Sequence, residues 1–186
     1  KASLVEDQNA LTHYNLAVLF QKRSELSQAI SEFEKVIKID PSHYEGCFYL
    51  GLLYQKKNRL DLAEKMLQRA LVIKPGSAEV ERALGVLYEG LGDPDKAELA
   101  FEKAISLNPE DVDSFVNLGV VLIRKHQEGS AEERLKRAVE VNPRSARGFA
   151  VLGWAQVELG KYKEAEGSLK EALTLDENNI DAINNL

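Results

Sequence analysis

One stretch decides the fold, residues 44–77, which read YEGCFYLGLLYQKKNRLDLAEKMLQRALVIKPGS. The same pattern repeats every 34 residues, and four prolines spaced 34 residues apart lie near the ends of the repeats: Pro41, Pro75, Pro109 and Pro143. A period of this length, carried by small and large apolar residues together, is typical of stacked helix pairs. Proteins built from such repeats work through shape and surface, so the period also indicates what kind of function to expect.

Writing the chain in rows that start at residues 10, 44, 78, 112 and 146 aligns its small residues in columns. Column 7 is always leucine, column 8 is alanine or glycine and column 20 is always alanine: Leu16, Leu50, Leu84, Leu118, Leu152; Ala17, Gly51, Gly85, Gly119, Gly153; Ala29, Ala63, Ala97, Ala131, Ala165. Apolar residues recur around them at three- and four-residue steps, which predicts two amphipathic helices per row. We predict first helices at 9–22, 43–56, 77–90, 111–124 and 145–158, and second helices at 26–39, 60–73, 94–107, 128–141 and 162–175.

Local signals agree with these bounds. Asp93 is predicted to cap the second helix of its row, with Pro94 in the first helical position. The small residues of columns 8 and 20 should let the two helices of a row approach closely. Column 4 holds Glu81 in the middle row, and a carboxylate buried there without a partner would be costly, so we expect it to be partly open or paired.

The repeat resembles the tetratricopeptide repeat. The resemblance rests on L-G-x2-Y in residues 50–54 and 84–88, on A-x3-F in residues 29–33 and 97–101, and on the closing prolines. It implies an all-α fold, a right-handed α-solenoid of antiparallel helix pairs that forms a single domain. The predicted repeats are residues 10–43, 44–77, 78–111, 112–145 and 146–179.

The pattern also continues at both ends. Residues 1–9 are predicted to be the tail of a preceding second helix, and residues 180–186 the start of a further, truncated repeat. We therefore interpret the chain as a segment of a longer protein. Because Ile180, Ile183 and Leu186 lack a covering helix in this interpretation, we expect weak self-association through uncapped ends.

Composition excludes several classes of function. The formal net charge of −6 argues against nucleic acid, which requires a basic surface, and no apolar run is long enough for membrane insertion, so we expect a cytoplasmic protein. His43 and Cys47 stand four residues apart without a third ligand nearby, so we expect a buried thiol there rather than a metal site. No nucleophile–base pattern is visible. We predict a non-enzymatic chain without cofactors.

The resemblance also implies where a ligand would bind. In this family the first helices line a concave groove, and columns 2, 5, 6, 9, 12 and 13 face the ligand. Columns 5, 6 and 9, with column 13 for Arg124, place the following residues there: Tyr14, Asn15, Phe48, Tyr49, Leu52, Arg82, Val86, Asn117, Val120, Arg124 and Trp154. The same columns contain Val18, Ala83, Val116, Ala150 and Val151. Column 9 is apolar in all five rows, which is unusual for an exposed surface and indicates an interaction site. The alternative is that neighbouring helices bury this stripe.

Two known groove chemistries of the family are incomplete here. Column 6 holds asparagine at Asn15, Asn117 and Asn185 but not between them, so a continuous asparagine ladder for a peptide backbone is absent. The two-carboxylate clamp of the family is not assembled either, because Tyr14 and Val18 occupy its first positions.

The leading hypothesis is a non-catalytic protein–protein interaction scaffold that binds an apolar peptide or amphipathic helix in its groove. A second hypothesis is a substrate-recruiting arm of a larger multidomain enzyme such as a glycosyltransferase. A third is a self-assembling array.

Overall fold

A computed structural model describes the backbone of residues 2–186 and the side chains from residue 9 onward. The described residues form eleven α-helices and no strand, which confirms the all-α class. The helices are α1 Ala2–Lys22, α2 Leu26–Ile39, α3 Tyr44–Lys56, α4 Leu60–Ile73, α5 Ala78–Gly90, α6 Pro94–Leu107, α7 Val112–Arg124, α8 Glu128–Val141, α9 Ala146–Glu158, α10 Tyr162–Leu175 and α11 Ile180–Asn185.

The helix bounds follow the sequence prediction closely. All five second helices begin and end at the predicted residues, and α3, α5, α7 and α9 begin one residue later than predicted. The residue before the helix acts as its cap in α3 and α9, where His43 Nδ1 and Ser145 Oγ each accept a hydrogen bond of 3.1 Å from a first-turn backbone N–H. Asp93 caps α6 as predicted, accepting from the Lys96 N–H at 3.2 Å with Pro94 in the first turn.

The start of the chain differs from the prediction. Lys1 lies outside the described residues, and from Ala2 the backbone continues as one helix to Lys22. The helix that contains the predicted first helix therefore begins at Ala2, seven residues before the predicted start at residue 9. The physical reason is that residues 2–9 contain no glycine or proline, so nothing in the sequence ends the helix there.

The chain divides into two compact units, residues 1–87 and residues 88–186. In the first unit α1 packs on α2, α2 on α3 and α3 on α4. In the second unit α6 packs on α7, α7 on α8, α8 on α9 and α9 on α10, while α11 closes against α9 and α10. Within each unit, these are contacts that a stack of helix pairs requires.

Close contact between the two helices of a pair depends on column 8. A Cβ built on Gly51 would stand 2.8 Å from the Leu67 side chain, and one on Gly119 would stand 2.6 Å from Leu135. In α9 the contact is repeated between Gly153 and Leu169, also at 2.6 Å. The column 20 alanines are at most 1% exposed, so both small columns lie at the helix–helix contact as predicted.

Ion pairs join successive helix pairs in the second unit. The Lys125 ammonium, directly after α7, lies 2.5 Å from Asp95 Oδ1 and 2.6 Å from Glu98 Oε2, both on α6. These two hydrogen-bonded carboxylates raise the pKa of Lys125 to about 12. Lys161, after α9, lies 2.6 Å from Glu132 Oε2 of α8 in the same manner. The cation that follows a first helix thus binds a carboxylate of the preceding second helix.

Two residues depart from the pattern of their columns. Leu16 is 37% exposed, whereas Leu118 and Leu152 of the same column are at most 4% exposed, because no second helix precedes α1 in the described part of the chain. Glu81 is buried, at 4% exposure, so of the two states expected for it, partly open or paired, the open one does not occur. Glu81 makes a polar interaction, which leaves the paired state.

The packing predicts how one alanine tolerates enlargement. Ala131 is fully buried in the second unit's core, so Ala131→Leu should overpack the contact and lower the free energy of unfolding by about 1–3 kcal/mol. Lys163→Leu, at an exposed site on α10, should change it by less than about 0.5 kcal/mol. Urea denaturation of both variants measures the difference, and equal losses would contradict the assignment of columns to core and surface.

Candidate functional site

In the first unit the structure brings three predicted site residues together. The rings of Tyr14 and Tyr49 have centroids 6.5 Å apart, and those of Phe48 and Tyr49 are 5.4 Å apart. His43 stacks on Tyr14 at 5.1 Å, and buried Phe33 stacks under Tyr49 at 5.9 Å. We call Tyr14, Phe33, His43, Tyr44, Phe48 and Tyr49 the aromatic cluster. Its ring distances are those at which aromatic pairs attract each other, so the cluster holds its own shape.

The aromatic cluster is only partly covered. Tyr14, Tyr44, Phe48 and Tyr49 are all half-buried, so each presents part of a ring to solvent. Burial raises the pKa of Tyr14, and the neighbouring Tyr49 and Glu45 raise it further. The Tyr14 hydroxyl is therefore a neutral hydrogen-bonding group at ordinary pH.

The column 9 stripe is not buried. Val18, Leu52, Val120 and Trp154 are half-buried, and Val86 is 38% exposed. The alternative that neighbouring helices bury the whole stripe is therefore wrong. Each of these apolar side chains keeps surface available for contact within its own unit.

The remaining predicted residues divide by column. Asn15 is exposed on α1 and Arg82 is half-buried on α5, where it makes polar interactions. Ala83, Val116, Ala150 and Val151 belong to the core, at 8% exposure or less, so columns 5 and 6 of the later rows do not simply face a groove. The reason is packing against neighbouring helices, since Val116 and Val151 both lie in the hydrophobic core of the second unit.

The second unit contains a concave site built from first helices. It is a cavity of about 560 Å³ enclosed by the end of α5, by α7, by α9 and by α11. Its apolar wall is formed by Val120, Ala150, Val151 and Trp154, and its polar wall by Glu89, Arg124, Arg147, Asp181 and Asn185. We call it the Trp154 cavity. Its volume lies within the range of natural ligand pockets.

Hydrogen bonds fix the polar wall of the Trp154 cavity. Arg124 Nη1 donates to Glu89 Oε1 at 2.5 Å, and Arg147 Nη2 donates to Asn117 Oδ1 at 2.7 Å. Trp154 Nε1 donates to Glu158 Oε1 at 3.0 Å, one turn further along α9. Two arginines and two carboxylates balance the charge of the wall. A ligand here would find an apolar surface with hydrogen-bonding groups at its border.

The structure therefore places Val120, Arg124 and Trp154 on one cavity and Asn117 behind its wall. Sequence reasoning missed Glu89, Arg147 and Asp181. The last two stand in column 2, and that column was a ligand-facing column of the resembling family, so the signal was present in the sequence. Glu89 stands in column 12, another ligand-facing column of that family, so its signal was present as well.

No metal chemistry emerges from the described side chains. Among them, no three His, Cys, Asp or Glu residues lie close enough to hold a metal ion. Cys47 is fully buried, and this burial raises the pKa of its thiol. His43 uses Nδ1 to cap α3.

Helix pairs with this period, with small residues at the pair contact and a cavity between first helices, define the class of helical-repeat proteins. Sequence models described as tetratricopeptide repeat match residues 10–43, 45–110, 90–155 and 146–179. The chain belongs to the tetratricopeptide repeat (TPR) family. Among curated proteins, no relative matches the chain.

Solved structures with the same fold include the MamA protein, at 24% identity over 92% of this chain and 93% of that one, with a TM-score of 0.81. PilW is 26% identical over 90% of this chain and 78% of its own, with a TM-score of 0.81. YrrB is 21% identical over 96% of this chain and 92% of its own, with a TM-score of 0.75. These likenesses place the chain in the TPR solenoid fold. Within the described residues, none of the helices has the length and apolar character needed to cross a membrane.

Proposed function

We propose that this chain is a non-catalytic interaction scaffold that binds an apolar peptide or an amphipathic helix of a partner protein on its first-helix faces. The observation that carries the proposal is the Trp154 cavity, which joins an apolar wall to fixed hydrogen-bonding groups. Apolar pockets with a few convergent polar groups are the usual form of a binding site. The same surface would also serve a recruiting arm of a larger enzyme.

The cavity chemistry favours binding over catalysis. None of the residues that line it is Ser, Thr, Cys or His, so it offers no nucleophile with a neighbouring base. Its charges are already paired or balanced, which suits a neutral apolar segment. Backbone groups of such a segment could bond with Asn185 and the two arginines at the border.

The half-buried apolar side chains of column 9 support the same role. Leu52 in the first unit and Trp154 in the second provide contact surface on first helices, and the aromatic cluster adds to it near Leu52. Partly exposed aromatic residues are favoured as binding anchors, because they bury a large area with few rotatable bonds.

Relatives support a role in protein interaction at a general level. YrrB is described as a TPR protein with an unusual peptide-binding site, and PilW as a type IV pilus biogenesis factor. At these identities the relatives support the proposal through their shared fold, and the choice of partner must come from the residues of this chain.

Trp154 is the single tryptophan, so its fluorescence reports directly on the cavity. Peptides selected from a random phage-displayed library against the wild-type chain should shift Trp154 emission on titration. Trp154→Ala should weaken binding of the same peptide by about 2 kcal/mol, roughly thirtyfold, as truncation of an anchor residue does. Calorimetric titration measures this variant, which lacks the fluorophore.

Matched variants separate the cavity from general effects. Tyr162→Ala removes an exposed aromatic ring on α10 and should leave affinity unchanged, and Leu62→Ala on α4 is the corresponding control for Leu52→Ala on α3. Wild-type affinity in both Trp154→Ala and Leu52→Ala would contradict the proposal. So would an affinity that collapses in moderate salt, because a charge-driven site would be screened.

A second candidate function is self-association. It is favoured by apolar side chains on α1 and after α11 that remain open, with Leu19 at 43% and Leu186 at 64% exposure. We expect sedimentation to show a mass that rises with concentration, and Leu19→Glu or Leu186→Glu to suppress the rise. A constant monomer mass at high concentration would contradict this candidate.

A further inference from the structure

The ion pairs of the second unit supply an internal template. Lys125 stands in column 14 of its row and binds Asp95 and Glu98, which stand in columns 18 and 21 of the row before. Lys161 stands in column 16 and binds Glu132, again in column 21 of the preceding row. Columns 14 and 16 therefore supply a cation, and columns 18 and 21 of the preceding row supply its carboxylate.

The first unit keeps the cations of this arrangement and lacks the carboxylates. Lys57 occupies column 14 and Arg59 occupies column 16. In the preceding row, column 18 is Ser27 and column 21 is Ile30. Among the described residues, neither Lys57 nor Arg59 has an acidic side chain within ion-pair distance, and both are exposed.

These residues line one cleft of about 380 Å³ between α2 and the turn that joins α3 to α4. We call it the Lys57 cleft, and its lining consists of Ser27, Ile30, Ser31, Glu34, Lys57 and Arg59. Two cations and two hydroxyl groups, all hydrogen-bond donors, thus surround an open space.

One acidic side chain, Glu34, also lies on the cleft, but it is already engaged. Its Oε1 accepts a hydrogen bond of 2.6 Å from the Tyr54 hydroxyl. Burial, together with this bond, raises the pKa of Tyr54 to about 12, so the phenol remains a donor to Glu34. Glu34 stands in column 25, the column of Glu102, and Glu102 is not the carboxylate that pairs with Lys125. It therefore does not replace the missing partner.

We propose that the Lys57 cleft binds an acidic side chain of a partner protein, whose carboxylate takes the place that Asp95 and Glu98 take beside Lys125. The chemistry follows from charge complementarity and from the internal template, in which the cation of this column holds carboxylate oxygens at 2.5–2.6 Å. Arg59 supplies a second donor of the forked kind that carboxylates accept well. This site lies in the first unit and does not depend on the Trp154 cavity.

The template also provides a way to fill the cleft from within. Ser27 is exposed and occupies the column of Asp95, so Ser27→Asp should supply the carboxylate in cis and exclude an external one. Ser27→Asn has nearly the same shape without the charge and serves as its control. Lys65→Gln removes an exposed cation of α4 that does not line the cleft, and it is the control for Lys57→Gln.

The experiment is a titration of the whole chain with a capped hexaglutamate peptide at low ionic strength, followed by amide chemical shifts in two-dimensional NMR spectra. Wild type, Ser27→Asn and Lys65→Gln should show saturable shifts that concentrate at residues 27–34 and 57–60. Lys57→Gln and Ser27→Asp should each weaken the binding by about fivefold, the factor expected for loss of one good exposed ion pair.

Several outcomes would overturn the proposal. One is the absence of saturable shifts at these residues in wild type. Another is an unchanged affinity in Lys57→Gln or Ser27→Asp when circular dichroism shows native helix content. A parallel titration with inorganic phosphate distinguishes the source of the oxyanion, and binding of phosphate without hexaglutamate would overturn the assignment to an acidic side chain.

Discussion

In three of the helix pairs, a leucine of the second helix contacts a glycine of the first helix, and the structure depends on this contact. In these pairs the space beside Gly51, Gly119 or Gly153 is filled by a leucine side chain, and a methyl group could not be added without moving it. Close packing of this kind leaves no room for adjustment, since protein interiors are nearly as dense as organic crystals. The glycine therefore sets how near the two helices of a pair lie.

The orientation of the first helices follows from this contact. Once column 8 faces the second helix, column 9 is turned away from the pair contact and remains partly exposed, as Leu52 and Trp154 show. In the second unit, the faces turned outward by α7, α9 and α11 enclose the Trp154 cavity. The same packing sets the cations after α7 and α9 beside the preceding second helix, where Lys125 and Lys161 find their carboxylates.

Sequence reasoning could predict what the period encodes. The bounds of the five second helices, the capping role of Asp93 and the burial of the column 20 alanines depend on local pattern, and the structure agrees with each. It could not predict what depends on neighbours. Val116 and Val151 are core residues because neighbouring helices cover them. Periodicity predicts on which face of a helix a residue lies, but not whether another helix packs over that face. To predict the Arg124–Glu89 ion pair, or that Lys57 has no ion-pair partner among the described residues, one likewise needs the distances between helices. The repeat pattern placed the start of the first helix at residue 9, whereas α1 begins at Ala2 because the local residues favour an uninterrupted helix.

The most direct test of the packing constraint compares one substitution at two glycines of the last helix pair. Gly153→Ala places a methyl group 2.6 Å from Leu169 and should lower the free energy of unfolding, while Gly167→Ala, on α10 with nothing within 4 Å, should raise it by up to about 1 kcal/mol. Urea denaturation of the two variants gives both values. Opposite signs are the result that the account predicts. A stabilising effect at Gly153 equal to that at Gly167 would contradict it, because the leucine contact would then not set the spacing of the pair.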